Sequence, residues 1–241
     1  MKSPLEFGPL LELESVDSTQ NVVAEALRSG QSVPGAVLAK VQTEGRGRLD
    51  RKWLSGEGDS LILSIPMLGY PNHPQPWLLG MAVATSVAAA IHARIQWPND
   101  VSVNGKKVAG ILNEVITDAK GDRIAVVGVG INLNQTEFAP EIADRATSLS
   151  ILRNGRTFEP KEVLTHILER MESMPEPTDW NALKPVWMLF DATPGKKYKL
   201  SSGEEAIAIG IGPDGELICS VDGETQTVLA ADAIFGESKV S

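Results

Sequence analysis

Apolar residues fall into short runs separated by glycine, proline and polar clusters, and two spacings recur. Lys161 to Met174 carries Val163, Leu164, Ile167, Leu168 and Met171 at the three-and-four spacing of a helix with one buried stripe. Val22 to Gly30 reads as a second helix, opened by the polar group Asp17-Ser18-Thr19-Gln20-Asn21 and closed by glycine. Pro76 to Arg94, rich in Ala, Leu and Val with proline at its start, predicts a third. Trp180 to Phe190 predicts a fourth, beyond the helix-breaking Met174-Pro175-Glu176-Pro177.

The other spacing belongs to strands. After a short apolar segment from Leu10 to Leu13, Ala36 to Val41 and Leu61 to Pro66 read as strands, followed by Ile111 to Thr117 and Ile124 to Asn134. Strands that often follow one another directly, mixed with helices, predict an α+β fold with a mixed or antiparallel sheet. Beyond about Pro194 the texture changes. Lys197 to Leu200, Ala206 to Gly210, Leu217 to Val221 and Thr225 to Leu229 are β-prone runs joined by Ser-Gly, Pro-Asp-Gly and Asp-Gly turns, which predicts a small barrel or sandwich.

Composition narrows the class. With 241 residues, 42% hydrophobic and 22% charged, the chain can bury a core, and no apolar run approaches a membrane span. The N-terminus shows no secretion signal, so a cytoplasmic location is expected, away from membranes. The single Cys219 lies in an apolar strand-like run and reads as a core residue. A formal charge of -9 argues against general binding to DNA or RNA. His73, His92 and His166 are isolated in sequence and show no metal-site spacing.

Against that acidic background Gln42-Thr43-Glu44-Gly45-Arg46-Gly47-Arg48-Leu49-Asp50-Arg51-Lys52-Trp53 stands out. Glycines let backbone N–H groups approach an oxyanion, arginine forks fit carboxylate and phosphate oxygens, and a nearby tryptophan can stack a flat ring. A second cluster, Gln96-Trp97-Pro98-Asn99-Asp100, runs into an Asn104-Gly105 turn and then Lys106 and Lys107. Only one of these lysines can face inward. Counting by two from Lys107 reaches Ala109, Ile111 and Asn113, so periodicity alone does not choose it. A third cluster, Gly128-Val129-Gly130-Ile131-Asn132, sets two glycines on one face of a strand, where either a ligand, another backbone or a tightly packed helix comes close.

Asp17-Ser18-Thr19-Gln20, the Gly-Arg-Gly-Arg loop, Trp97-Pro98-Asn99-Asp100, Lys107-Val108-Ala109-Gly110-Ile111-Leu112 and Gly128-Val129-Gly130-Ile131-Asn132 occur in the order and spacing of one family. From about residue 12 to 236 the chain resembles the biotin protein ligases. The resemblance implies a class II synthetase-like catalytic domain over residues 1–190, a mixed β-sheet packed against helices, and an SH3-like β-barrel over 191–241. It implies that biotin and ATP are converted to biotinyl-5′-AMP with Mg²⁺, and that biotin then passes to a lysine of a biotin carboxyl carrier protein such as an acetyl-CoA carboxylase subunit. A homodimer is compatible with it.

The same resemblance assigns residues. Ser18, Thr19, Gln20 and Gln42 would hydrogen-bond the ureido head, and Arg46, Gly47, Arg48, Lys107, Gly110, Gly128 and Gly130 would complete the biotin site. Arg46, Arg48, Arg51, Trp53, Asn99, Asp100, Lys107 and Asn132 would take ATP and the adenylate, with Arg48 and Lys107 activating carboxylate and α-phosphate. Asp100 either helps position Mg²⁺ or braces Arg51. Ser18 and Thr19 either bind ligand or cap a helix, and Trp53 either stacks adenine or fills the core. Two departures are visible: Asp50 stands where many members carry glycine, and Gln96 where they carry lysine. A lipoate ligase shares the fold and chemistry, though the arginine loop and Trp-Pro-Asn-Asp favour biotin. A biotin-sensing regulator needs a helix-turn-helix, for which the roughly ten residues before the ligase-like region are too few.

Overall fold

The computed structural model describes residues 1–48, 53, 56–230 and the backbone of 233–235. Strand β1 (Leu10–Val16) leads into helix α1 (Thr19–Ser29), which ends at Gly30 in the left-handed conformation that glycine adopts without penalty. Strands β2 (Ala36–Gln42) and β3 (Ser60–Pro66) follow, then helix α2 (Pro76–Ile91). The sheet continues with β4 (Arg94–Gln96), β5 (Asp100–Val103), β6 (Lys106–Thr117) and β7 (Arg123–Asn132). Helices α3 (Leu149–Leu152), α4 (Pro160–Ser173) and α5 (Trp180–Trp187) complete this part.

The seven strands form one sheet in the order β1-β2-β3-β7-β6-β5-β4, in which β1 and β2 are parallel and the other pairs antiparallel. This is the mixed sheet packed against helices that the sequence predicts. Helix α2 is apolar all round because it is buried all round, between the sheet and helices α4 and α5. It ends at Ile91, earlier than expected. His92 takes a left-handed conformation and the next residues become β4.

Five further strands, β8 (Lys197–Leu200), β9 (Glu205–Ile211), β10 (Leu217–Val221), β11 (Glu224–Val228) and β12 (Ala233–Phe235), form an antiparallel sheet in the order β11-β10-β9-β8-β12. A continuous cluster of buried side chains joins the two sheets. It runs from Leu63 and Val83 through Trp97 and Trp187 to Tyr198 and Cys219.

A smaller cluster lies on the opposite face of the large sheet, where Val23 and Leu27 of α1 pack on Val37, Ile116 and Val126. Along β7, therefore, Val127, Val129 and Ile131 face α2, whereas Val126 and then Gly128 and Gly130 face the α1 side. Helix α1 covers only part of that face. Beyond its N-terminus the sheet is open, and the five motifs converge there.

Candidate active site

The floor of this opening is two rows of residues set by strand register. Ser64, Gly128 and Leu112 lie side by side on β3, β7 and β6, and Ile62, Gly130 and Gly110 form the next row. Rows two residues apart on a strand are separated by roughly 7 Å. The walls come from the N-terminus of α1, the arginine loop and the Trp97–Asp100 segment, enclosing a cleft of ≈ 180 Å³.

The first row is an uncharged polar pocket. Gln42 Oε1 accepts hydrogen bonds from the backbone N–H and the hydroxyl of Thr19, at 2.7 and 3.0 Å, and the Thr19 hydroxyl also meets Ser64 Oγ at 2.7 Å. Ser18 occupies the N-cap position of α1, yet its hydroxyl makes no capping bond; its N–H donates to Asp17 Oδ1 instead. The capping alternative for these hydroxyls is therefore not realised. Gln20 lies over Gly128, where a methyl group would come within 3.3 Å of its amide; its Nε2 reaches the Leu112 carbonyl at 3.4 Å, and its buried Oε1 has no partner among the described residues.

Ser64 was not singled out by sequence. It is fully buried, and its signal is a lone hydroxyl inside the apolar run Leu61-Ile62-Leu63-Ser64-Ile65. A buried hydroxyl needs a partner, so such a residue points to a polar neighbour across the sheet.

The second row carries charge. Lys107 shares the cleft face with Gly110 because β6 bulges: Val101 pairs with Ala109 but Ser102 pairs with Lys107, leaving Val108 as the extra residue. Counting by two, which points Lys107 the same way as Ala109 and Ile111, fails at that bulge. Lys107 Nζ lies 2.5 Å from Asp100 Oδ1 and 5.9 Å from the centre of the Trp53 ring. Asp100 is thus engaged by Lys107, a pairing that neither sequence alternative for Asp100 anticipated.

Trp53 lies on the glycine floor. A methyl group at Gly130 would come within 2.5 Å of the indole, and one at Gly110 within 3.3 Å, so the paired glycines make room for a ring. The Trp53 N–H donates to the Gly45 carbonyl at 2.9 Å, which pins both ends of the arginine loop together. Within the loop, Arg46 pairs with Glu114 at 3.1 Å, and Arg48 donates to Asn99 Oδ1 at 3.3 Å and to the Ala230 carbonyl. Asn99 is itself fixed to β6, giving Nδ2 to the Ile111 carbonyl and accepting the Ile111 N–H, both at 2.9 Å.

Ser18, Thr19, Gln20, Gln42, Arg46, Gly47, Arg48, Trp53, Asn99, Asp100, Lys107, Gly110, Gly128 and Gly130 all line this one cleft. Asn132 does not; its buried amide donates to the Thr147 carbonyl at 3.0 Å. Arg51 and Asp50 lie outside the described residues. Gln96, where the resemblance expects lysine, is buried beside the phenol of Tyr198 and hydrogen-bonds it. Among the described residues no three His, Cys, Asp or Glu side chains cluster as metal ligands, and no helix is long and apolar enough to cross a membrane.

The profile of the Biotin/lipoate A/B protein ligase family matches residues 12–132. A biotin--[acetyl-CoA-carboxylase] ligase of Mycobacterium tuberculosis is 32% identical over 92% of this chain and 88% of its own length. One from Paracoccus denitrificans is 30% identical over 93% of this chain and 99% of its own. The biotin protein ligase of Aquifex aeolicus in complex with biotin and ATP superposes with a TM-score of 0.75 at 31% identity, covering 95% of this chain and 98% of that one. Sequence, fold and the convergence of motifs agree, and the chain belongs to the biotin/lipoate A/B protein ligase family, as a biotin protein ligase.

Proposed function

We propose that this cleft binds biotin and ATP together, forms biotinyl-5′-AMP, and passes biotin to a lysine of a biotin carboxyl carrier protein. The observation that carries the reading is the polarity of the cleft floor. One row offers uncharged donors and acceptors, Thr19, Gln42 and Ser64, and the next offers the cations Lys107 and Arg48. That order matches a ligand with an uncharged hydrogen-bonding head and a carboxylate at its far end.

In the first step a carboxylate oxygen of biotin attacks the α-phosphorus, the bond to the β-phosphate oxygen breaks, and pyrophosphate leaves. Two anions must approach, so cations that offset their repulsion and the charge developing at phosphorus accelerate the step. The reading gives this role to Lys107 and Arg48, and their fixed positions in the cleft lining, at 2.5 Å from Asp100 and 3.3 Å from Asn99, support it. In the second step the carrier lysine amine attacks the acyl carbon and AMP leaves. The anhydride between them is prone to hydrolysis, and exclusion of water is the role proposed for the arginine loop, of which Arg46, Gly47, Arg48 and Trp53 line the cleft.

Mg²⁺ suits this site as a companion of ATP. It commonly takes one carboxylate, several waters and phosphate oxygens, and among the described residues Asp100 is the carboxylate in the cleft lining. It would neutralise phosphate charge. Incubating the protein with biotin, Mg-ATP and a carrier domain should give a biotinylated carrier and, without carrier, bound adenylate by mass spectrometry. Absence of both products overturns the reading.

A further inference from the structure

The nucleotide side of the cleft is held from behind by the C-terminal sheet, through one residue. Trp97 is buried two positions before Asn99, and three of its polar atoms are bonded by residues 193–215. Its N–H donates to Thr193 Oγ1 at 3.0 Å, its indole Nε1 donates to the Gly215 carbonyl at 2.9 Å, and its carbonyl accepts the Tyr198 hydroxyl at 2.6 Å. The Tyr198 ring, itself fully buried, meets the indole edge to face at 5.7 Å. The turn carrying Gly215 sits against Trp77 so closely that a methyl group there would fall 2.7 Å from the ring.

What Trp97 carries is the support of two of the cations that line the cleft, Arg48 and Lys107. Asn99 receives Arg48 and Asp100 receives Lys107. The far side of the segment is tied to β6 by the two bonds between Asn99 and Ile111. The segment is thus fixed at both ends, by β6 and by the C-terminal sheet, and a shift of Trp97 would be passed to both cations.

We propose that Tyr198 is a positioning residue for adenylation, setting the Trp97–Asp100 segment so that Arg48 and Lys107 meet the nucleotide phosphates. The inference rests on the proposed function and adds to it a role for the C-terminal sheet. Tyr198 is not among the residues that line the cleft; it acts through Trp97. Burial raises its pKa far above the ordinary phenol value, against a hydrogen bond from Gln96, so the hydroxyl remains a donor across the working pH range.

The test is biotin-dependent pyrophosphate release by the full chain with Mg-ATP, without carrier. Tyr198→Phe keeps the ring and removes the donor, leaving the buried Trp97 carbonyl without that bond. KM for ATP should rise at least about 5-fold and clearly more than KM for biotin, because the polar row at Thr19 and Gln42 that takes the biotin head is untouched. Thr193→Val cuts the tether at the Trp97 N–H and should give the same split, which decides the matter if the Phe variant does not fold. An unchanged KM for ATP, or both KM values rising in step, overturns the proposal. A wild-type protein that releases no pyrophosphate removes the activity itself, whereas an active wild type with an indifferent Tyr198→Phe removes only this role.

Discussion

Gln42 Oε1 receives both the N–H and the hydroxyl of Thr19. Because one oxygen takes both bonds, the amide orientation is set and the Gln42 Nε2 donor is turned away from Thr19. Gln42→Glu keeps the acceptor for Thr19 but replaces the Nε2 donor with a second oxygen. It should therefore fold normally and weaken biotin roughly 5- to 100-fold, the range for an unmatched buried hydrogen bond. Titration calorimetry with biotin checks this, and unchanged affinity would remove Gln42 from the ureido site.

Lys107 and Asp100 form a pair at 2.5 Å within the cleft lining, where the proposed reaction brings the biotin carboxylate and the nucleotide phosphates. Lys107→Ala takes away the cation and leaves Asp100 facing the incoming anions. Adenylate formation should fall by at least about 100-fold, as for other preorganised groups that stabilise transition-state charge. Pyrophosphate release without carrier measures it. Wild-type rates would refute the assignment.

Arg48 joins three parts of the molecule: the loop that bears it, Asn99 beside β5, and the Ala230 carbonyl after β11. Arg48→Ala should release the loop from both supports, so adenylate forms more slowly and escapes before the carrier arrives. The expected result is biotinylation of lysines on a bystander protein such as albumin, read by streptavidin blot. A variant that labels only its carrier, at the wild-type rate, would refute the loop's role as a seal.

Much of this site was legible in sequence because its chemistry sits in unusual local strings. The cations of the arginine loop stand out in an acidic chain, and paired glycines inside an apolar strand announce a close approach. Gly128 and Gly130 do admit close neighbours, Gln20 and Trp53. What was not legible is set by long-range geometry. The bulge at Val108 depends on how β5 pairs with β6, so period-two counting could not place Lys107 beside Gly110. Asn132 has the parity of the glycines but lies past the floor, where the Thr147 carbonyl takes its amide. Tyr198 and Thr193 read as ordinary residues of a small β region, and their tie to Trp97 spans about a hundred positions of chain.

The contact between Gly130 and Trp53 gives a test in which stability is the readout. Alanine normally suits a strand interior better than glycine, so Gly130→Ala should be mildly favourable if nothing lay above it. The indole is 2.5 Å from the new methyl carbon, and overpacking should instead cost about 1–3 kcal/mol. In a Trp53→Ala background that cost should vanish. Urea unfolding of the four proteins measures the coupling, and equal effects in both backgrounds would show that Trp53 does not rest on Gly130.

Asp191 leads from α5 to the C-terminal sheet, and burial raises its carboxyl pKa above the ordinary 3.8, against hydrogen bonds from Thr193 and the nearby Arg94 charge. A carboxyl with a raised folded pKa binds its proton more tightly in the folded state. Its contribution is therefore fully present below 3.8, the unfolded value, and is lost as pH rises through the folded pKa. At neutral pH the ionised group is a burden. Asp191→Asn keeps an oxygen for the Thr193 N–H, bonded at 2.8 Å, and removes the charge. The variant should melt at or above the wild-type temperature at pH 7, and its advantage should shrink as pH falls toward the unfolded pKa. Thermal melts at a series of pH values check this: a variant that is less stable at pH 7 and gains relative to wild type in acid would mean that the Asp191 charge stabilises the fold through Arg94.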